Sequence, residues 1–331
     1  MEVTTDHVLG WTRVGVLLLG MARAAWMDHK DRRGPNEHWI VWAKPALFLW
    51  GLDLMVQGAD WTIYLTAFGV VAYAGVSVFG RPTLVDARAG SGMDRVFIAW
   101  YLASAIGFIA GAIRYQSTTP LEVILGEGDE LGMLWWRTAS VFLVIFIINI
   151  AWRLRLLHGG ADAKALMWVT LVFPSWATVP TPFSSVMSET LVALPVSVAL
   201  LMWGGLAFLL IPFIMLILNI KKGTVRSLSD LRLAWHATQI PIDEVMKRHV
   251  WMLTTTMVRP DSEDVVIHRS RAPRRTPSDE ELQEQIKTLK ALNVEHVWVS
   301  FKMPLLVFLL PAVLPLVLLG EPTALVMSWL G

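Results

Sequence analysis

The chain contains no cysteine. That excludes disulfide staples, thiolate nucleophiles and cysteine-ligated zinc. Histidine is sparse too: the eight residues are scattered, with no close pair on one helix face, so neither a metal site nor another cofactor is expected. Charge is scarce, at 17% Asp, Glu, Lys and Arg, against about a quarter in a soluble domain. It is also balanced, with 28 basic and 27 acidic residues, which gives no basic footprint for nucleic acid. A basic leader is missing as well. The start "MEVTTDH" is acidic where a secretory signal would be basic. Ala22-Arg23-Ala24 has the A-x-A form, yet the first apolar run is expected to be a retained helix.

What remains is oil. Of 331 residues 55% are hydrophobic, and apolar runs of roughly 20 residues, enough to cross a bilayer core, recur along most of the chain. Backbone polar groups in lipid are satisfied only by helices or closed barrels, and the short alternating strands of a barrel are absent from the pattern. The expectation is an all-α, polytopic membrane protein with about eight transmembrane helices, near 8–27, 39–57, 61–79, 95–115, 134–153, 163–182, 190–220 and 301–329. The seventh is long enough to tilt or protrude. Pro195 and Pro212 are expected to kink it, and Pro311 and Pro315 the eighth. Three parts follow: a membrane catalytic domain of about seven helices (1–222), a small hydrophilic insertion (223–298) and a C-terminal transmembrane helix (299–331). Within the insertion, Ser278 and Glu281 form a capping-box pattern ahead of a short amphipathic helix. The stretch 250–268 is a candidate for a small α+β module, and the basic "HRSRAPRR" (268–275) reads as a solvated loop.

Loop charge sets the orientation. Lys30, Arg32 and Arg33 follow the first run, Arg81, Arg88 and Arg95 the third, Arg153 and Arg155 the fifth, and Lys221 and Lys222 the seventh. The acidic "LEVILGEGDELG" (121–132) falls on the other face. Both termini are therefore expected outside, and the insertion in the cytoplasm. Asp28, after the first run, and Asp162, before the sixth, then share the cytoplasmic boundary although about 130 positions separate them.

Two carboxylates a few ångströms apart cannot both ionise comfortably, so they share a proton and titrate as a pair. One member can then protonate a carbonyl or leaving amine while the other activates water, as in aspartic proteases. The plainer reading makes Asp162 a helix N-cap and pairs Asp28 with Lys30 or Arg32. Asp53, Asp60 and Glu189 compete as acids. Asp53 lies inside the second run towards the opposite face, where a helix-borne basic group would be its partner.

"WMDHKDRRGPN" (26–36) resembles the first-aspartate motif of type IV prepilin peptidases, and "GGADAK" (159–164) resembles their GxGD signature followed by x-K. Ala161 stands where strict GxGD has its second glycine, a departure that looks usual in the archaeal branch. "VSFKMPLLVFLLPAVL" (299–314) is similar to the C-terminal part of archaeal preflagellin (prearchaellin) peptidases. The insertion itself carries no part of the resemblance. The resemblance implies a membrane aspartic endopeptidase that removes short basic leaders from prepilin or prearchaellin precursors, cutting just before their hydrophobic helix. Asp28 and Asp162 would be the catalytic pair. Gly159, Gly160 and Ala161 would shape the approach, Lys164 would tune the pair or act as an interface cation, and Pro35 and Asn36 would form the turn holding Asp28. The precursors and membrane lipids are the expected partners. The basic stretch 268–275 could alternatively recruit the leader or lipid headgroups. Without cysteine, peptidase activity alone is expected, since bacterial members that also N-methylate often carry a cysteine zinc domain.

Two other classes stay open. A presenilin-like intramembrane protease also uses GxGD, but has a Tyr-Asp pair and a Pro-Ala-Leu after the second aspartate. Here Met27 precedes Asp28, and the only Pro-Ala-Leu, 45–47, comes before Asp162. A non-catalytic transporter or scaffold predicts polar groups in mid-membrane, to which Asp53 and Asn149 lend slight support, and an internal repeat, which is not evident.

Overall fold

The computed structural model describes residues 5–32, 34–157, 159–180, 194–258, 264–273, 275 and 277–330. The expected Glu189 lies outside these residues. In chain order the helices are α1 (Thr5–Asp31), α2 (Asn36–Val56), α3 (Trp61–Phe79), the short α4 (Leu84–Arg88), α5 (Gly92–Arg114), the short α6 (Pro120–Leu125), α7 (Glu130–Arg153), α8 (Gly160–Val172), α9 (Val196–Leu209), α10 (Ile211–Lys221), α11 (Leu228–Ala234), α12 (Asp279–Ala291), α13 (Leu305–Leu319) and α14 (Pro322–Leu330). Five strands, β1 (Thr238–Pro241), β2 (Val250–Met252), β3 (Thr254–Val258), β4 (Asp264–His268) and β5 (His296–Phe301), all fall between α11 and α13.

Among the described residues, six segments are long and apolar enough to cross a bilayer: His7–Asp31 of α1, then α2, α3, α5, α7 and the stretch Val196–Lys221 made by α9 and α10. Leu305–Leu319 is a shorter apolar helix. The architecture is thus a helical polytopic membrane protein, with six full-length spans among the described residues where the sequence predicts about eight. The differences have local causes. The expected sixth span shrinks to α8, whose 13 residues reach only about 20 Å. Pro174 holds Phe173 out of the α region (φ −122°, ψ 83°), and the chain turns away through a single 3₁₀ turn, Trp176–Thr178. The expected eighth span breaks at Gly320, whose φ of +79° only glycine adopts without strain. Pro311 and Pro315 stay inside α13. The expected seventh span is divided at Leu210, where Pro212 in the first turn of α10 removes a backbone donor.

The chain forms two compact units, Met1–Gly205 with Pro304–Gly331, and Leu206–Met303. In the first, α1 packs on α2, α8 and α13, while α3 lies between α5 and α7. Lipid offers no hydrophobic drive for helix pairing, so close approach of small residues has to supply it. On α5, Gly107 meets Leu65 of α3, and Gly111 leaves room for the Trp135 indole of α7. Helix α8 is the hub: from Ala163 to Phe173 every residue except Lys164 is buried. Burial inside protein, not in lipid, makes it apolar all round.

The second unit supplies the sheets. β5 runs antiparallel between β1 and β2, with Thr238 and Met252 both opposite Val299. β3 and β4 pair as a separate antiparallel ribbon. Alternation along β5 sends Val297 and Val299 into a cluster with Ile240, Val250 and Leu289, and Trp298 into another with Leu233 and Leu253. The Ser278–Glu281 capping box opens α12 as the sequence predicts. Asn219 ties α10 into this unit: its amide donates to the carbonyls of Ala234 and Ala237, and its Oδ1 accepts from Thr238.

Candidate functional site

Asp28 sits in the last turn of α1 and is 9% exposed. Asp162 is the third residue of α8 and is partly buried. The two motifs around them interlock. A Cβ added at Gly34 would fall 2.8 Å from the Ala161 Cβ, so the turn after α1 rests directly on the start of α8. Lys164 Nζ donates to Asn36 Oδ1 at 2.6 Å. The same Asn36 donates from Nδ2 to the Val78 carbonyl at the end of α3, 3.0 Å away. Pro35 is the N-cap residue of α2, with φ −62°, the value its ring imposes. Each letter of Gly-Pro-Asn therefore does something specific: contact, helix start, bridge.

The Gly-Gly-Ala-Asp run reads the same way. Gly159, not Asp162, is the N-cap of α8, and no side chain caps that end. This corrects the plainer N-cap reading of Asp162. The carboxyl folds back instead: a Cβ at Gly159 would lie 2.2 Å from Asp162 Oδ2. A Cβ at Gly160 would press to 3.1 Å from the Trp152 ring. The small residues make room for the aspartate itself, a tryptophan and the facing turn. Lys164 also lies 5.9 Å from the Trp152 ring centre.

Burial, and after it the charge of the Asp28 carboxylate, pushes Asp162 up to about 6. Asp28 is thus near enough for its charge to be felt at Asp162. Among the described residues no basic side chain comes within ion-pair distance of either, although Arg32, one of the partners expected for Asp28, acts on it through its charge at longer range. A carboxyl titrating near neutrality beside a second one can hold a proton and give it up, which is the requirement for acid–base work at a carbonyl.

The two competing acids among the described residues, Asp53 and Asp60, are both occupied. Asp53 pairs with Arg13 on α1 at 3.5 Å, the helix-borne basic partner expected for it. Asp60 N-caps α3, accepts from Tyr115 and pairs with Arg114. Asn149 accepts from Arg153 and donates to Tyr73. The sequence reading missed Arg13, a 1% exposed arginine inside a span, which the rarity of such cations could have flagged. It also missed Gly34, Trp39 and Trp152, which carry no chemical signature beyond their size. Among the described residues no group of three or more His, Asp or Glu side chains is placed to hold a metal ion.

The fold defines a helical polytopic membrane protein with two acidic motifs brought together at one end of its α1–α2–α8 cluster. Residues 229–321 match the family model for Archaeal Peptidase A24 C-terminus Type II. That match supports an archaeal prepilin/preflagellin peptidase family for this chain, and so a peptidase. No curated protein matches it. The match runs from α11 through the sheets to the end of α13 and does not reach Asp28 or Asp162. It covers most of the insertion, where no short motif shows a resemblance, and also the 299–314 stretch, where one does.

Proposed function

We propose that the protein is a membrane aspartic endopeptidase of the prepilin type, with Asp28 and Asp162 as its catalytic pair. The observation that carries this reading is the interlock of the two motifs, Gly34 on Ala161 and Lys164 on Asn36. In this reading one carboxyl is neutral and one charged. The carboxylate takes a proton from water as it attacks the scissile carbonyl, and the carboxylic acid protonates the carbonyl oxygen. Collapse of the tetrahedral intermediate returns that proton to the leaving amine. The proton belongs to the pair, so acid and base exchange roles within each turnover. Gly159, Gly160 and Ala161 set the place of Asp162, while Lys164, Pro35 and Asn36 hold the facing turn.

The substrates are prepilin-like or prearchaellin-like precursors whose short basic leader ends before an apolar helix. The cut falls at the cytoplasmic face, because Lys30 and Arg32 beside Asp28 and Arg153 and Arg155 ahead of Asp162 follow the positive-inside rule. Residues 1–222 act as the catalytic membrane domain, 223–298 as a cytoplasmic module and 299–331 as a membrane return. The test is cleavage of candidate precursors in membranes carrying wild type, Asp28→Asn or Asp162→Asn at equal protein level. Each substitution is expected to abolish cleavage without changing insertion. Cleavage surviving both would end the proposal.

A further inference from the structure

The turn joining α3 to α5 links two membrane-length helices, so it stands at the membrane boundary. It is also the boundary of the aspartate motifs, since Asn36 donates to the Val78 carbonyl at the end of α3. Within this turn the two signs of charge are handled differently. Asp86 accepts from the hydroxyl of Thr83, the N-cap residue of α4, and Asp94 accepts from the hydroxyl of Ser91, the N-cap residue of α5. Asp94 also accepts from the Thr83 backbone N–H at 3.1 Å. Both carboxylates therefore fold the turn. Arg95 donates to the Ala87 carbonyl at 2.8 Å. Arg81 and Arg88 are exposed and form no ion pair among the described residues.

Between those two arginines, α4 turns its larger apolar side chains outward. It packs on α5 with Ala87 buried, while Leu84 and Val85 are 63% and 75% exposed. Phe79 before it and Met93 and Val96 after it are exposed as well. Contiguous exposed apolar side chains mark a partner or a membrane. The charge of Arg81 acts on Tyr101, well inside α5, whose hydroxyl donates to the Ala72 carbonyl of α3. The Arg81 guanidinium therefore leans along the α3–α5 pair instead of away from the membrane. Among the described residues no anion pairs with it there.

We infer that α4 lies in the headgroup layer of the bilayer, with Leu84 and Val85 at the acyl boundary and Arg81 and Arg88 on the phosphates of anionic phospholipids. The turn cannot leave that layer, because α3 and α5 hold both of its ends there. An apolar pair flanked by cations matches the chemistry of this layer, and each basic residue near an anionic surface adds to the attraction. The caps matter to the sign. With Asp86 and Asp94 held by hydroxyls and a backbone amide, neither neutralises Arg81 or Arg88 by an ion pair. The inference is independent of the peptidase reading, and its test involves no cleavage.

The chain has no cysteine, so Val85→Cys takes a fluorescent label without background. Full-length protein is reconstituted in vesicles of phosphatidylcholine and phosphatidylglycerol that carry a lipid-borne spin-label quencher near the glycerol. Gln283→Cys, exposed on the polar helix α12, is the control. Quenching is expected to be at least about threefold stronger at position 85, as for a side chain sunk roughly 5–10 Å into the headgroup and acyl boundary. Equal quenching at the two positions puts α4 in water and overturns the inference. The same quencher is then carried either on phosphatidylglycerol or on phosphatidylcholine. The anionic carrier should quench position 85 about threefold more, and Arg81→Gln with Arg88→Gln should bring the two carriers to parity. No preference with the native arginines, or one that survives both substitutions, overturns the anionic assignment. So does a preference abolished by inorganic phosphate at constant ionic strength, which would assign the arginines to a soluble anion. The depth measurement keeps the native arginines, so it holds whether or not the doubly substituted protein folds.

Discussion

The cluster of α1, α2 and α8 carries ionisable groups at both of its ends, and the two ends are built on opposite rules. At one end Arg13 of α1 donates to the Val172 carbonyl of α8 and the Leu49 carbonyl of α2, and pairs with Asp53 of α2. A cation meets an anion, and two helix carbonyls share its remaining donors. At the other end Asp28 of α1 and Asp162 of α8 bring like charges into reach, with no basic side chain in ion-pair distance among the described residues. Ties other than ion pairs do the holding there: Gly34 on Ala161, and Asn36 between Lys164 and Val78. One end spends its charges on cohesion; the other, in the proposed reading, keeps an acidic proton available. Ionisable groups inside a membrane protein are costly, so each pair needs a reason, and the proposed chemistry gives the second one outside structure.

This contrast can be broken by substitution. The largest effect is expected on cleavage: Asp28→Asn or Asp162→Asn should lower it by about 10⁴-fold or more, the scale of removing one member of a catalytic unit. Asp53→Asn, at the other end, should leave cleavage within about tenfold at equal folded protein in the same membrane assay. If Asp53→Asn is equally dead, the two ends do not differ in kind. Next comes stability. Arg13→Met removes the cation paired with Asp53 and the donor to the Val172 and Leu49 carbonyls, and should cost about 3–5 kcal/mol, seen as a lowered unfolding midpoint in detergent. Adding Asp53→Leu should restore part of that loss, because the carboxylate that lost its cation goes with it. Smaller again is Asn36→Ala, which unties Lys164 and frees the Val78 carbonyl. A loss of about 1–3 kcal/mol and roughly tenfold slower cleavage are expected.

The smallest effect depends on pH. The folded protein holds the Asp162 proton up to about pH 6, whereas the unfolded chain releases it near 3.9. Between those values the folded state binds the extra proton, so stability falls as pH rises and stays low above about 6. The Asn variant escapes this. Its unfolding midpoint should match wild type near pH 4 and exceed it at pH 7, by about 1–2 kcal/mol after allowance for partial exposure. A difference that does not grow between pH 4 and 6 would mean the carboxyl is not strained by burial and its neighbour. Wild-type kcat/KM should fall as pH rises through the same range.

Much of this was legible residue by residue. The apolar runs of α1, α2, α3, α5 and α7 match their sequence bounds closely, because a span is set by length and hydropathy alone. Asp53 was read as the partner of a helix-borne cation, and Arg13 is that cation. The aspartate motifs were found by their letters, but what the letters do was not. Gly159 is small for the Asp162 carboxyl and Gly160 for Trp152, contacts that involve the chain's own atoms rather than an approaching substrate. Helix α8 was read as a span because an all-round apolar segment looks the same whether lipid or protein surrounds it. The insertion showed no short motif, yet the family match runs through most of it.

By itself, the sequence determined that this is a helical membrane protein, where most of its spans begin and end, and which two acids lie at the ends of their helices. Those properties follow from local hydropathy, proline and glycine, which act within a turn or two of where they stand. Only the tertiary structure decided that Gly34 rests on Ala161, that Asn36 binds Lys164, that Arg13 takes Asp53 away from chemistry, and that α8 is enclosed by its neighbours. Each of these joins residues tens to more than a hundred positions apart, and the free energy that selects them exists only once the helices are packed.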